Sequence, residues 1–247
     1  MQLSIVIPEY NEIENLKSGV LDEVKKFLID SKLDAEVIIS DDGSDDGSLE
    51  FSENYSKSDS RFSVLTNKHG GKASALLKGI EKSKGEWVLI TDMDQSTPIF
   101  EVLKLLQYSS DYEIIIGSRG AVRSNTSVLR KLASYIFSTF RKSLVLSDIE
   151  DTQCGFKLLD SVVAKQIFPM LEATHEEHVR GWRVSAFDVE LLYIARKKGY
   201  KIKEVKVEWE NKDKSETKKR KFVRESLDMI KEVIRVRMNG IKGKYTT

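Results

Sequence analysis

The sequence predicts an α/β protein with a doubly wound, mostly parallel sheet, helices on both faces and a C-terminal amphipathic helix. Two observations carry that expectation. Short apolar runs that fit buried strands alternate with segments of helical period. Several of those runs also end abruptly in polar or acidic residues, as Trp87-Val88-Leu89-Ile90-Thr91 does at Asp92-Met93-Asp94. Ligands of such sheets bind in the crevice outside the carboxyl ends of the strands, which is where these acids fall.

Leu3-Ser4-Ile5-Val6-Ile7 reads as the first strand, stopped by Pro8 before Glu9-Tyr10-Asn11-Glu12. A helix follows, with Leu16, Val20, Val24, Phe27 and Leu28 on one face. Glu36-Val37-Ile38-Ile39-Ser40 is the second strand, and it ends in Asp41-Asp42-Gly43-Ser44. Phe62-Ser63-Val64-Leu65 is the third, leading to Gly70-Gly71-Lys72 and a helix carrying Ala73, Leu76, Leu77 and Ile80. The Trp87 run is the fourth strand and Glu113-Ile114-Ile115-Ile116-Gly117 the fifth. Val205, Val207 and Trp209 alternate as in a half-buried strand, and a last helix is expected from Phe222 to Met238. The domain reading is one catalytic unit over 1–210, followed by a basic linker and helix over 211–247.

Composition narrows the function. At 247 residues, with 40 basic against 39 acidic side chains, the net charge is +1, which argues against a dedicated nucleic-acid binder. A single cysteine, Cys154, excludes an internal disulfide and reads as a small buried residue. Strand-like sequence begins at Leu3, so no signal peptide is expected, and no apolar stretch has the length of a membrane span.

Asp92 and Asp94 point to one side of an extended segment. Taken alone they fit either a solvated turn or two hard oxygen ligands for a divalent cation. Gly70-Gly71-Lys72 lacks the first glycine and the Ser/Thr of a P-loop. It fits either a plain helix start or backbone N–H groups and a lysine offered to a phosphate. His175 and His178 are three apart, not the four that a zinc helix requires, and are expected in a loop. Asp188 and Glu190 open a helix, where its dipole accounts for them.

Ile7-Pro8-Glu9-Tyr10-Asn11-Glu12, Ser40-Asp41-Asp42-Gly43-Ser44, Asp92-Met93-Asp94, Gly117-Ser118-Arg119 and Asp151-Thr152-Gln153-Cys154-Gly155-Phe156-Lys157-Leu158 occur in that order. Together these motifs resemble family 2 glycosyltransferases of the GT-A fold, and most closely the dolichyl- and polyprenyl-phosphate glucosyltransferases. The resemblance implies that Pro8, Tyr10, Glu12 and Asp41 hold the nucleoside of a nucleotide-sugar donor such as UDP-glucose; the strand-end position of Asp42 and the helix-start position of Lys72 make them donor-binding candidates as well. It implies that Asp92 and Asp94 bind Mg²⁺ or Mn²⁺ on the donor diphosphate. Arg119 and Arg130 would face a polyprenyl-phosphate acceptor, with Asp151 near the reacting sugar. Many relatives carry Gln two positions after the paired acids, where this chain has Ser96, with Gln95 directly after Asp94. Transfer would invert the anomeric carbon. The basic run Lys218-Lys219-Arg220-Lys221, ahead of a helix bearing Val223, Leu227, Ile230 and Ile234 on one face, predicts peripheral attachment to the cytoplasmic face of a membrane.

Overall fold

A computed structural model describes residues 1–120, 148–175, 187–214 and 222–245, with backbone alone for 222–229. Arg130, His178, the basic run 218–221 and the side chains of Val223 and Leu227 lie outside the described residues.

Seven strands form a single sheet among the described residues: β1 (Leu3–Glu9), β2 (Ala35–Asp41), β3 (Phe62–Thr66), β4 (Trp87–Ile90), β5 (Ile114–Ser118), β6 (Lys157–Asp160) and β7 (Ile202–Lys206). Their order across the sheet is β3-β2-β1-β4-β6-β5-β7. All run parallel except β6, which is antiparallel to both β4 and β5. The expected mostly parallel sheet is therefore present. Pro8 does not end β1 as expected but pairs with Ser40 inside it. The β1–β4 ladder stops at Val6, so the missing N–H of Pro8 removes no bond on that side.

Eight α-helices accompany the strands in the described residues: α1 (Ile13–Lys17), α2 (Val20–Ser31), α3 (Ser48–Ser56), α4 (Lys72–Lys82), α5 (Val102–Leu106), α6 (Ser161–Ile167), α7 (Phe187–Lys197) and α8 (Phe222–Ile241). Alternate strand residues serve opposite faces of the sheet. Val6, Val88, Ile90, Ile114, Ile116 and Leu159 cluster with Leu76 and Ile80 of α4, Leu191 of α7, and Val233 and Val236 of α8. Ile5, Ile7, Val37, Ile39, Leu89 and Ile115 cluster with Leu16 of α1, Leu28 of α2 and Leu105 of α5. This period-two division of apolar residues is what a sheet covered on both faces requires. Helix α4 approaches β1 so closely that a Cβ on Gly79 would lie 2.4 Å from Val6 Cγ1.

The described part of α8 has two faces. Val233 and Val236 are fully buried, whereas Ile234, Met238 and Ile241 are 41%, 49% and 72% exposed. Around its end, the Tyr245 hydroxyl donates to Glu190 Oε1 at 2.7 Å, and Asn239 and Lys244 both donate to Glu172 Oε1 at 2.8 Å. Glu190 is therefore a buried hydrogen-bond acceptor that helps dock the C-terminus, a role beyond the dipole compensation expected of it.

Candidate active site

The carboxyl ends of the parallel strands bring the predicted donor-side residues together. Asp41, the last residue of β2, pairs in register with Glu9, and its carboxylate accepts from the N–H groups of Gly43 at 2.9 Å and Ser44 at 3.1 Å. Gly43 has φ of 82°, a turn that suits glycine and aims the two N–H groups back at the acid. Tyr10 follows β1 and stacks on His69, with ring centroids 4.3 Å apart and planes inclined by 19°. Glu12 precedes α1, its backbone N–H donating to Ser48 Oγ at 2.8 Å and its Oε2 accepting from Asn15 at 2.5 Å.

Asp42 settles one open reading. The N–H groups of Gly70 and Gly71, which fitted either a plain helix start or a phosphate contact, donate to Asp42 Oδ1 and Oδ2 at 2.8 Å each. His69 Nδ1 lies 2.9 Å from Oδ2 of the same carboxylate. Burial nevertheless leaves the Asp42 carboxyl above the usual carboxylate range, the neighbouring donors offsetting only part of it. The anion at the start of α4 is thus the protein's own, and Lys72 alone reaches onward. Its Nζ sits 2.5 Å from Asp92 Oδ1 and 5.9 Å from the centre of the Phe187 ring. Burial by itself would favour loss of its proton, but Asp92, Asp188 and Asp94 outweigh that and raise its pKa.

Asp92 and Asp94 occupy the tight loop after β4. Gln95, with φ of 48°, bends the chain there, and its Nε2 donates to the Asp92 carbonyl at 2.9 Å. The amide nitrogen is thus spent on the loop itself, while Gln95 Oε1 is buried without a hydrogen-bond partner. The Ser96 N–H donates to Asp94 Oδ1 at 2.8 Å. Burial, reinforced by the charge of Asp92, pushes the Asp94 carboxyl up. Asp92 lies directly against Gly155: a Cβ there would fall 2.1 Å from Asp92 Oδ2. Two neighbouring acids, Asp92 raising the cost of ionising Asp94 and itself facing an ammonium group, form a donor set that fits a hard divalent cation. No cluster of three or more acidic, thiol or imidazole groups in a metal-holding arrangement exists among the described residues.

The opposite side is built from ion pairs. Arg119, directly after β5, presents Nε and Nη2 to Asp151 Oδ2 and Oδ1 at 2.7 Å each, and its backbone N–H reaches Oδ2 at 3.1 Å. Burial would raise the Asp151 pKa, yet the Arg119 guanidinium holds it below the usual carboxylate range. Arg119 also lies over the Trp209 ring at 5.7 Å. Lys157, only 1% exposed, places Nζ 2.5 Å from Asp188 Oδ1 at the start of α7. Asp188 is thus an ion-pair partner, again more than an answer to a helix dipole. Its charge acts on both Lys72 and Arg119, which joins the two sides into one site.

Some participants had no clear sequence signal. His69 bridges Tyr10 and Asp42 from a loop whose only cue was its place after a strand. Glu204 receives the N–H groups of Glu150 and Asp151 at 2.7 Å each, from more than 50 residues away. The segment after Trp209 crosses the paired-acid loop, the Glu210 N–H donating to the Ser96 carbonyl at 2.8 Å and the Lys214 N–H to Asn15 Oδ1 at 3.0 Å. It carries Asp213, whose charge also raises the pKa of Asp94.

Residues 4–168 match the model of glycosyl transferase family 2. The chain belongs to that family and is a glycosyltransferase. It is 34% identical to a dolichyl-phosphate beta-glucosyltransferase of Dictyostelium discoideum, over 98% of this chain and 75% of that one. It is 35% identical to the human dolichyl-phosphate beta-glucosyltransferase, over 84% of this chain and 67% of that one. Among solved structures it resembles mannosyl-3-phosphoglycerate synthase from Rubrobacter xylanophilus, with a TM-score of 0.68 at 17% identity, covering 97% of this chain and 75% of that one. It also resembles glucosyl-3-phosphoglycerate synthase from Mycobacterium tuberculosis in complex with Mn²⁺, UDP-glucose and phosphoglyceric acid, with a TM-score of 0.62 at 17% identity, covering 97% and 79%. At such identities these structures establish the shared GT-A fold.

Proposed function

We propose that this glycosyltransferase moves a glucosyl group from a uridine diphosphate sugar to the phosphate of a polyprenyl or dolichyl phosphate, with inversion. The observation that carries the acceptor class is the state of Asp151 and Asp188. A hydroxyl acceptor needs a base, and these are the two carboxylates best placed by sequence to serve as one. Both are ion-paired, and Asp151, forked by Arg119, is a weak proton acceptor. An acceptor phosphate already carries its negative charge and needs cations to position it. The N–H groups of Arg119 not used by Asp151 suit that task, with Arg130 as a second candidate. The names of the relatives support the same acceptor.

On the donor side Tyr10, backed by His69, would pack against the nucleoside, with Pro8, Glu12 and Asp41 around it. Asp92 and Asp94 would hold Mg²⁺ or Mn²⁺, which supplies charge stabilisation to the departing diphosphate. Lys72 would reach the same diphosphate from α4. The Mn²⁺ and UDP-glucose bound by a protein of the same fold support this donor and cofactor. We place the domain boundary near residue 210, the segment beyond supplying both the crossing strap and α8.

No helix among the described residues is long and apolar enough to cross a membrane. We place the protein peripherally, on the cytoplasmic membrane face. Ile234, Met238 and Ile241 form the exposed ridge on α8, with the exposed cations Lys231, Arg237 and Lys242 beside it. The test combines the protein with labelled UDP-glucose, Mn²⁺ and anionic liposomes containing polyprenyl phosphate. Label is expected in the organic phase and protein in the liposome pellet at low salt. Label passing only to water-soluble acceptors would overturn the acceptor assignment, and protein absent from the pellet at low salt would overturn the attachment.

A further inference from the structure

We propose that Lys72 is the built-in counter-ion of the paired acids, and that a divalent cation can settle on Asp92 only as the Lys72 ammonium group leaves it for the donor diphosphate. This rests on the assignment of Asp92 and Asp94 as the metal-holding residues and adds a mechanism by which this chain controls when that site is open.

The geometry is specific. Lys72 is the first residue of α4, and the start of α4 is fixed because Gly70 and Gly71 are bonded to Asp42. From that fixed point the side chain passes the Phe187 ring and ends on Asp92 Oδ1 at 2.5 Å. The other oxygen of Asp92 is confined by the backbone at Gly155, where even a methyl group would collide. The carboxylate that must ligate the metal therefore meets an ammonium group on one side and main chain on the other.

A free divalent cation approaching this site competes with a tethered positive charge and gains two carboxylates, with no third acidic, thiol or imidazole group arranged around it among the described residues. A donor changes both terms. Its diphosphate supplies oxygens to the metal and gives Lys72 an anionic partner, so the ammonium can leave Asp92 without becoming an unpaired charge in a partly buried site. Metal and nucleotide then favour one another, and by linkage each raises the affinity of the other by the same factor. In the free protein Lys72 also relieves repulsion between Asp92 and Asp94, which would otherwise oppose the folded loop. A plain helix-start lysine with no gating role would affect nucleotide affinity but leave metal binding in the absence of nucleotide unchanged or weaker.

The test measures Mn²⁺ binding to the full chain by the loss of the free-ion paramagnetic signal, with and without UDP, for the wild type, Lys72→Gln, Lys72→Arg and Asp92→Asn. Thermal melts confirm folding, and Lys72→Met, which keeps the stem over Phe187, replaces the Gln variant if that one does not fold. Without UDP, Lys72→Gln is expected to bind Mn²⁺ about tenfold more tightly than the wild type, within the usual range of coupling between sites. Lys72→Arg, which keeps the charge, is expected to stay weak. UDP is expected to tighten Mn²⁺ binding by a larger factor in the wild type than in Lys72→Gln. If Asp92→Asn abolishes Mn²⁺ binding while neither neutral variant at position 72 strengthens it, the counter-ion role is overturned and the metal assignment stands. If Asp92→Asn binds Mn²⁺ as the wild type does, the metal assignment falls and the counter-ion role with it.

Discussion

The two sides of the cleft hold their charges in different ways. On the donor side, Asp41, Asp42 and Asp94 accept from backbone N–H groups of glycines and serines in turns and helix starts at the ends of parallel strands. On the acceptor side, Asp151 and Asp188 are held by the side chains of Arg119 and Lys157, 32 and 31 residues away in sequence. Main-chain donors orient an acid without neutralising it, so the donor side keeps negative charge beyond what the Lys72–Asp92 pair cancels. Side-chain partners cancel charge, which leaves the acceptor side with little net negative field to repel an incoming phosphate. The difference suits the proposed function, in which the site would hold a metal-bound diphosphate and a second anion together.

The first prediction tests the donor side directly. Asp92→Asn and Asp94→Asn each remove one negative charge from the proposed metal site and are expected to lower kcat by about a hundredfold to a thousandfold, the magnitude typical of losing one main element of transition-state charge stabilisation. Unchanged circular dichroism would confirm that the fold is intact. Near-normal turnover in both variants would remove the functional distinction between the two sides.

A second prediction concerns the proposed acceptor side, where stability is expected to depend on charge pairing. Asp151→Asn leaves the half-buried Arg119 guanidinium without its fork and is expected to destabilise the protein by about 3 kcal/mol, as breaking one partner of a buried pair does. Urea unfolding would measure it. A shift below roughly 0.5 kcal/mol, the size expected of a surface pair, would show that the pair contributes no more than an exposed one.

The contrast also explains what was legible in the sequence. The alternating strands, the acids at their ends and the apolar faces of the helices are local patterns, and the structure returned them with small shifts at Pro8 and in the last helix. Arg119 and Asp151 could be named as site residues, but their bond could not, because the pair forms only when β6 inserts antiparallel between β4 and β5. The bond between Lys157 and Asp188 was hidden for the same reason. Gly70 and Gly71 were ambiguous in a different way. A glycine pair before a helix signals available N–H groups, but sequence does not say which anion will fill them, and here Asp42 from the end of β2 does.

Glu9 sharpens the comparison because it breaks the donor-side pattern. This acid is buried at the end of β1, accepts from the Ser52 hydroxyl at 2.6 Å, and leaves Oε1 without a hydrogen-bond partner. Burial pushes its pKa from 4.5 up to about 8, the Ser52 bond offsetting only part, with Asp41, Asp46 and Glu12 adding to the rise. A raised acid in the folded state means that the native protein holds a proton the unfolded chain has released. Its contribution to stability is therefore complete below pH 4.5 and is lost as pH rises through 8. Glu9→Gln is expected to flatten the decline in stability over that window, by on the order of 2 kcal/mol or more, given about 1.4 kcal/mol per pKa unit. Urea midpoints measured from pH 5 to pH 9 would show it. An identical slope in both proteins would mean that Glu9 ionises normally.

The smallest expected effect separates the two duties of His69. Its ring stacks on Tyr10, and its Nδ1 is one of three donors to Asp42. Because Gly70 and Gly71 continue to hold Asp42, His69→Ala should leave the loop and kcat nearly intact. What it removes is the aromatic support behind Tyr10, worth about 0.5–1.5 kcal/mol for a stacked pair. If Tyr10 packs on the nucleoside, UDP affinity should weaken by about fivefold, the equivalent of roughly 1 kcal/mol. His69→Phe restores the stack without the nitrogen and is expected to recover most of that affinity. Titration calorimetry with UDP on the three proteins distinguishes the duties. A Phe variant as weak as the Ala variant would show that the bond to Asp42 carries the effect, so that a side-chain donor, as well as the backbone, sets the donor side.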